Sequence, residues 1–246
     1  MLVKIPDLLN STQLEAVCSV LRQSDFVDGK LSAGRHAQAH KNNQELAPQQ
    51  EAFDALNNVV MTQLVQHPLY LQNAMPAKIC APIYARYSSG MEYGGHIDDP
   101  VMGPMNSRYR SDISISVFLN PPEEYEGGEL CIESSQSDSE FKLPAGHALL
   151  YPSTSFHAVK PVTSGERLVA VTWVQSYIRR ADQREILCNW IRPGNRSRSK
   201  TTIPPSNASS FAMPTCFVCG RRFNADYRCE PFSSCAISTS LIASSS

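Results

Sequence analysis

The sequence has no run of 18 consecutive apolar residues, so it offers no candidate transmembrane helix. It also lacks an excess of charge: 22 Lys and Arg against 23 Asp and Glu give a formal net charge of −1, with no global attraction to nucleic acid or anionic lipid. Residues 1–10 lack the pattern of a secretory signal, because Pro6 and Asp7 precede any long apolar stretch. We therefore expect a cytoplasmic protein whose partners include no nucleic acid and no membrane.

The composition that is present is typical of a globular protein. Hydrophobic residues make up 42% and charged residues 18% of the 246 positions, which excludes global disorder. A chain of this length buries roughly 70–75% of its unfolded surface, so it can form a core without disulfides. Without an export signal, we expect reduced and mostly buried thiols at Cys18, Cys80, Cys131 and Cys188.

The N-terminal part of the chain favours helices. Thr12 and Glu15 have the spacing of a capping box, and apolar residues follow at helical spacing. A second amphipathic helix is predicted from about residue 49 to residue 66, and His67-Pro68 ends it. The polar segment 30–47 between the two helices has no clear periodicity and predicts a loop.

The pattern changes to short strands after about residue 76. Segment 112–119 alternates polar and apolar residues, which predicts a half-buried strand. Many short strands separated by Gly and Pro turns favour a sandwich or a barrel over a parallel sheet. Helical character returns at 177–187. The other predicted strands are 78–87, 129–132, 140–143, 148–151 and 167–175.

Three residues form a candidate metal site. His96 and Asp98 are two positions apart, so on an extended segment their side chains point to the same side. His157 supplies a second imidazole beside a later predicted strand. Two His and one carboxylate on one face of an ion are the ligand set of non-haem Fe(II) oxygenases. His-x-Asp alone is a weak signal, because such pairs arise often by chance.

Arg167 adds weight to this interpretation. It lies ten residues after His157, at the start of the next predicted strand. Its planar guanidinium suits a carboxylate, so it could anchor the distal carboxylate of a dicarboxylic cosubstrate that chelates the metal. A surface arginine after a Ser-Gly-Glu turn is the alternative.

The spacing of these residues resembles that of a known family. The pattern Tyr87-x-x-Gly90-x-x-Tyr93-x-x-His96-x-Asp98, followed by His157 and Arg167, is similar to the prolyl-4-hydroxylase-like branch of the Fe(II)/2-oxoglutarate dioxygenases. More narrowly, residues 1–187 resemble the bacterial PKHD-type hydroxylases, a group that includes an iron-uptake factor. The segments that carry this narrower resemblance are 85–87, 94–98, 111–120, 125–130 and 151–153.

The resemblance implies an α+β fold with a double-stranded β-helix (jelly-roll) core and flanking N-terminal helices. It implies one Fe(II) ion per subunit on His96, Asp98 and His157, with 2-oxoglutarate as cosubstrate and L-ascorbate as auxiliary reductant. The distal carboxylate of 2-oxoglutarate would pair with Arg167, supported by the Tyr87 hydroxyl. The expected activity is hydroxylation of an unidentified small molecule or peptide by molecular oxygen, with a link to iron uptake and a homo-oligomer left open.

The alternative function is a non-catalytic jelly-roll that binds a metal or a small acid, such as an iron sensor. Arg167 argues against it, because this arginine has no obvious purpose without a cosubstrate. The expected organisation is an N-terminal helical support region (1–76), a dioxygenase domain (77–178), the start of a C-terminal helical region (179–188) and an atypical tail (189–246).

The resemblance ends at the tail. Residues 189–246 contain 12 serines, 7 Lys and Arg and only 2 Asp and Glu. One hypothesis is a zinc module on Cys216, Cys219, Cys229 and Cys235, although the last two cysteines are six apart rather than three. The other is a non-native terminus, such as a frameshifted reading frame, which we expect to be poorly ordered.

Overall fold

The computed structural model describes residues 2–47, 50–133 and 138–191, which belong to one compact unit. The tail predicted at 189–246, as a zinc module or a poorly ordered non-native terminus, lies outside the described residues except for 189–191, which belong to a helix. The helices are α1 Ser11–Gln23, α2 Arg35–Gln38, α3 Gln50–Gln66, α4 Pro68–Ala74 and α5 Ala181–Ile191. The strands are β1 Val3–Ile5, β2 Phe26–Asp28, β3 Lys41–Asn42, β4 Gln44–Leu46, β5 Pro76–Ile79, β6 Ile83–Ser88, β7 Glu92–His96, β8 Val101–Met102, β9 Tyr109–Arg110, β10 Ile113–Phe118, β11 Tyr125–Gly127, β12 Leu130–Ile132, β13 Ser139–Phe141, β14 Ala148–Pro152, β15 His157–Val159 and β16 Val162–Ser176.

Two antiparallel sheets form the body of the molecule. The larger sheet has the order β1-β14-β10-β16-β6-β4-β2, with β5 and β11 also paired to β16. The smaller sheet has the order β13-β12-β15-β7-β3. Side chains of the two sheets share one buried cluster, which includes Tyr87, Phe118 and Val169 of the larger sheet and Leu130 and Val159 of the smaller. The expected α+β jelly-roll is confirmed.

The helices cover the other face of the larger sheet. Val17 of α1 and Leu56, Val60 and Leu64 of α3 pack with Ile115 of β10 in a second buried cluster. Burial of such aliphatic side chains contributes roughly 1.5–3 kcal/mol each, so this layer holds the larger sheet in place. The sheet therefore has a helix layer behind it and the smaller sheet in front.

This layering corrects the prediction for the strand at 112–119. All six residues of β10 are buried, not alternate ones. The polar positions Ser114 and Ser116, which alternation assigns to solvent, point into the space between the sheets. Ser114 bonds Asp98, as described below, and Ser116 lines the cavity of the candidate site.

The prediction of a loop at 30–47 is wrong. Within it, β3 pairs with β7 of the smaller sheet and β4 pairs with β6 of the larger one. These strands are only two and three residues long, too short to show a period of two in the sequence. The segment links the edge strand β3 of the smaller sheet to β4 of the larger sheet, where β2 forms the edge.

The N-terminal helices differ in detail from the prediction. The capping box of α1 consists of Asn10 and Gln13, not Thr12 and Glu15. His67 ends α3 as predicted, but its imidazole also caps the short helix α4, which the sequence analysis did not predict. The segment predicted as one strand at 78–87 contains parts of two, β5 and β6.

The other predicted strands are present, each within a few residues of its expected bounds, except that β16 begins five residues early. Cys18, Cys80, Cys131 and Cys188 are reduced thiols, as expected, and the first and last are buried. In the described ranges, no helix is both long and apolar enough to cross a membrane.

Candidate metal centre

The three predicted metal ligands lie together between the sheets. His96 ends β7 and His157 begins β15, and the antiparallel register of these strands pairs the two residues directly. Their ring centroids are 4.3 Å apart. Asp98 follows two residues after β7, and its Oδ2 lies 4.0 Å from His157 Nε2. One ligand atom from each residue lies within 4.8 Å of the other two, which suits a single ion.

A local irregularity in β7 gives His96 its orientation. His157 pairs with His96 and Val159 pairs with Tyr93, so two steps on β15 correspond to three on β7. The extra residue falls at Gly94-Gly95 and forms a β-bulge. Without it, Tyr93 and His96 would point to opposite faces. With it, both line the same cavity, and their rings stack at 3.7 Å.

Backbone carbonyls hold both imidazoles in the orientation that metal binding needs. His96 Nδ1 lies 2.8 Å from the Gly94 carbonyl oxygen, and His157 Nδ1 lies 3.0 Å from that of Ser155. Since a carbonyl only accepts, each Nδ1 carries the proton and each Nε2 presents a lone pair. Burial, and next the charge of His157, lower the pKa of His96 to about 4, so this ring is neutral near pH 7.

The carboxylate of Asp98 is also fixed. The Ser114 hydroxyl of β10 donates a hydrogen bond to Asp98 Oδ2. Ser153 Oγ lies 2.8 Å from Ser114 Oγ and therefore donates to it, because the only hydroxyl proton of Ser114 is already used. The sequence analysis missed Ser114 as a functional residue. Its polar position in segment 111–120, which carries part of the family resemblance, was the available signal.

Arg167 is buried beside this centre, not on the surface. Only 1% of the residue is exposed, and its Nε and Nη1 atoms have no hydrogen-bond partner in the described structure. The guanidinium lies over the Tyr87 ring at 5.0 Å, and the two residues are directly paired across β16 and β6. A buried, incompletely bonded guanidinium is costly, so this site is suited to an anion. The surface alternative for Arg167 is wrong.

Two tyrosine hydroxyls lie near the guanidinium. Tyr87, which was predicted, lies near Asn43 as well as Arg167, and Tyr125, which was not predicted, also lies near Arg167. Burial raises the pKa of both phenols, more than the nearby positive charge of Arg167 lowers it. Both therefore remain protonated at neutral pH and can donate hydrogen bonds.

One cavity of about 540 Å³ is lined by all five predicted residues: Tyr87, His96, Asp98, His157 and Arg167. The loop at 99–109 contributes Val101, Met102 and Tyr109 to the lining. Asp99 also lines the cavity, but it does not belong to the three-residue cluster.

The fold and the site together define a class of protein. A jelly-roll with two imidazoles and one carboxylate on one cavity wall, and a buried arginine suited to a carboxylate, is the arrangement of an iron oxygenase that uses a 2-oxo acid. Residues 82–175 match the sequence model of the 2OG-Fe(II) oxygenase superfamily. A PKHD-type hydroxylase of Thioalkalivibrio sulfidiphilus is 47% identical over 167 residues, which cover 68% of this chain and 75% of the relative. The chain belongs to the PKHD-type hydroxylases and is an Fe(II)- and 2-oxoglutarate-dependent dioxygenase.

Solved structures agree with the fold. A prolyl hydroxylase of Trichoplax adhaerens is similar with a TM-score of 0.51 and 18% identity, over 76% of this chain and 86% of that one. A prolyl-4-hydroxylase of Pseudomonas putida gives a TM-score of 0.50 and 20% identity, over 72% and 93%. At these identities the likeness concerns architecture, and the chemistry has to be argued from the site.

Proposed function

We propose that His96, Asp98 and His157 hold the catalytic iron, and that Arg167 and Tyr87 bind the distal carboxylate of 2-oxoglutarate. The observation that carries this proposal is the location of both groups in one cavity: a three-residue cluster with converging ligand atoms, and an arginine with two unpartnered nitrogens. A sensor that binds metal alone would leave those nitrogens buried without a ligand.

The residues fit both groups chemically. Two imidazole Nε2 atoms and one carboxylate are suited to Fe(II), and three protein ligands leave coordination positions open. The guanidinium of Arg167 and the hydroxyl of Tyr87 are donors on neighbouring strands, which suits a carboxylate. When bound, iron and 2-oxoglutarate supply oxygen activation coupled to decarboxylation of the cosubstrate to succinate.

The chain contributes position and shielding. The Gly94 and Ser155 carbonyls hold the imidazole protons on Nδ1, and the Ser114 hydroxyl orients the Asp98 carboxylate. The β16 strand presents Arg167 and Val171 to the cavity, and Val159 of the opposite sheet faces it too. The apolar side chains of Val159 and Val171 exclude water from the reacting centre and strengthen charge interactions inside it.

Anaerobic titration tests the assignment. Purified protein should bind Fe(II), and 2-oxoglutarate should then give a visible charge-transfer absorption and oxygen-dependent succinate. His96→Ala and Asp98→Ala each remove one of three ligands and should bind Fe(II) weakly without unfolding. His147→Ala is the matched control, since this histidine is not among the residues that line the cavity. Its Nε2 lies 3.4 Å from Asp7 Oδ1. Wild-type iron affinity in Asp98→Ala would exclude that residue from the site.

Three further properties are proposals of the same kind. The family resemblance supports ascorbate as auxiliary reductant, which multiple-turnover succinate assays with and without ascorbate test. A cytoplasmic location is a second proposal, which cell fractionation tests. Ile186 and Trp190, four residues apart and exposed on α5, support a homo-oligomer, which analytical ultracentrifugation tests. The hydroxylated substrate is a small molecule or a peptide.

A further inference from the structure

A second polar cluster lines the cavity, and it is assigned neither to iron binding nor to 2-oxoglutarate binding. Lys41 of β3 and Glu45 of β4 form an ion pair, and each residue is only 7% exposed. The Lys41 ammonium also donates to Ser32 Oγ at 2.9 Å, and Ser32 Oγ donates to Glu45 Oε1 at 2.9 Å. All three residues line the same cavity as the candidate metal ligands.

The pair lies close to the metal centre. Lys41 is paired with Tyr93 on the smaller sheet, and its ammonium lies 5.4 Å from the Tyr93 ring centroid. Tyr93 in turn stacks on His96. Glu45 is paired with Ala85 on the larger sheet, two residues along β6 from the Tyr87–Arg167 pair. Both charged residues therefore line the cavity in which a substrate would meet the metal centre.

Stability alone does not explain a buried ion pair at this place. Desolvation of two charges offsets most of their attraction, and well-packed apolar side chains often serve as well. The pair also has unused hydrogen-bonding capacity. Two of the three ammonium hydrogens of Lys41 have acceptors, and only Oε1 of Glu45 has donors, among the described residues. One donor and one acceptor remain, on two different side chains.

The unused donor of Lys41 and the unused acceptor of Glu45 favour a ligand without net charge. The pair is neutral as a whole, so a ligand with a net charge would be attracted by one residue and repelled by the other. A zwitterion would have to separate Lys41 from Glu45. A neutral amide adds to the pair without breaking it, because its carbonyl accepts from Lys41 while its N–H donates to Glu45.

We propose that Lys41 and Glu45 recognise the substrate of the dioxygenase through a neutral secondary amide, the group of a peptide bond. This inference rests on the proposed function, since it assigns the pair to the substrate of that site. Lys41 and Glu45 would then be specificity determinants, and Ser32 would position them through its hydrogen bonds to both.

Ligand-observed NMR on the full chain, loaded with Zn(II) and N-oxalylglycine as inert substitutes, tests the proposal without turnover. Four probe sets share the same amino-acid side chains: N-acetyl amino acid N-methylamides, free amino acids, N-acetyl amino acids and amino acid N-methylamides. They are respectively neutral, zwitterionic, anionic and cationic at the backbone groups. The dissociation constant of the neutral set should be lower than that of each other set by a factor of about ten or more. This factor is the one expected for the loss of one hydrogen bond to a charged group.

Single substitutions should redirect the preference. Glu45→Gln leaves the Lys41 charge unopposed and should shift binding toward the anionic set, whereas Lys41→Met should shift it toward the cationic set. Each should weaken binding of the neutral set about ten-fold or more. Lys160→Met is the matched control, because its ion pair with Glu140 at 2.7 Å is exposed. Circular dichroism checks folding, and Glu45→Gln carries the test if Lys41→Met fails to fold.

The proposal is overturned if the four sets bind equally, if a charged set binds most tightly, if no set binds, or if both variants keep the wild-type preference. Loading with Zn(II) and N-oxalylglycine is measured first and reports on the proposed function separately. The binding of the four probe sets is also measured without Zn(II) and N-oxalylglycine. A protein that fails to load therefore still shows whether Lys41 and Glu45 prefer the neutral set.

Discussion

Replacing Arg167 by methionine should weaken 2-oxoglutarate binding and stabilise the ligand-free protein at the same time. Both effects come from the same observation: the guanidinium is 1% exposed and two of its nitrogens have no partner among the described residues. In the absence of an anion, those donors impose a desolvation cost of about 1–3 kcal/mol. Methionine fills a similar volume without charge and removes that cost.

The loss of cosubstrate binding can be estimated from the same contact. A hydrogen bond to a charged group contributes about 1.5–3 kcal/mol, which corresponds to roughly ten- to 150-fold in the dissociation constant. Arg167→Lys restores the charge but not the two-pronged geometry, so it should recover only part of the affinity. Iron affinity should stay at the wild-type value, since Arg167 is not a ligand.

Isothermal titration of the Zn(II)-loaded protein with 2-oxoglutarate measures the first effect, and thermal unfolding of the metal-free protein measures the second. For a protein of this size, each kcal/mol corresponds to a melting-temperature change of about 2–4 °C. Arg86→Met is the control, because Arg86 lies on β6 next to Tyr87 but already bonds Gln44 at 2.7 Å. Unchanged 2-oxoglutarate affinity in Arg167→Met, or a loss of iron binding with it, would refute the assignment of Arg167.

Three other predictions concern the metal ligands and the tail. Ser114→Ala removes the donor to Asp98 and should weaken iron binding about 10- to 100-fold in anaerobic titration, with the fold intact by circular dichroism. Because the folded-state pKa of His96 is about 4 against an ordinary 6.5, the unfolded chain takes up this proton first as the pH falls. The melting temperature of the metal-free protein should therefore fall as the pH is lowered from about 6.5 to about 4. It should fall less over the same pH range in His96→Gln. A chain ending at Ile191 should still bind Fe(II) and 2-oxoglutarate, since the cavity-lining residues all precede it; failure to bind would give the tail a role in the site. Zinc that survives His96→Ala but is lost in the double variant Cys216→Ser with Cys219→Ser would instead show a zinc module in the tail.

The sequence was informative where local spacing carries the chemistry. His96 and Asp98 are two residues apart, His157 and Arg167 lie beside later predicted strands, and the family resemblance added Tyr87. All five residues line one cavity. Tyr125, in contrast, approaches Arg167 only because β11 pairs with β16. Such a contact depends on the register of distant strands, which no local periodicity encodes.

Burial was the other property that the sequence could not provide. Alternation in β10 correctly indicated a strand, but burial depends on what covers each face, and both faces are covered here. The same reason hid Lys41 and Glu45. A polar segment with strands of two and three residues is indistinguishable from a solvated loop until the sheets that it joins are known.

The bulge in β7 shows how register produces the chemistry. Regular pairing would direct Tyr93 and His96 to opposite faces, which would place either the metal ligand or its stacking partner outside the cavity. The extra residue at Gly94-Gly95 brings both inward. A Cβ at Gly95 would lie 2.4 Å from Phe156 Cζ, so a side chain there would require the Phe156 ring to move. On the facing sheet, β16 is paired without interruption from Glu166 to Val171 with β6, which fixes Arg167 toward the interior. The metal ligands thus depend on a local break in one ladder, and the arginine depends on the continuity of another.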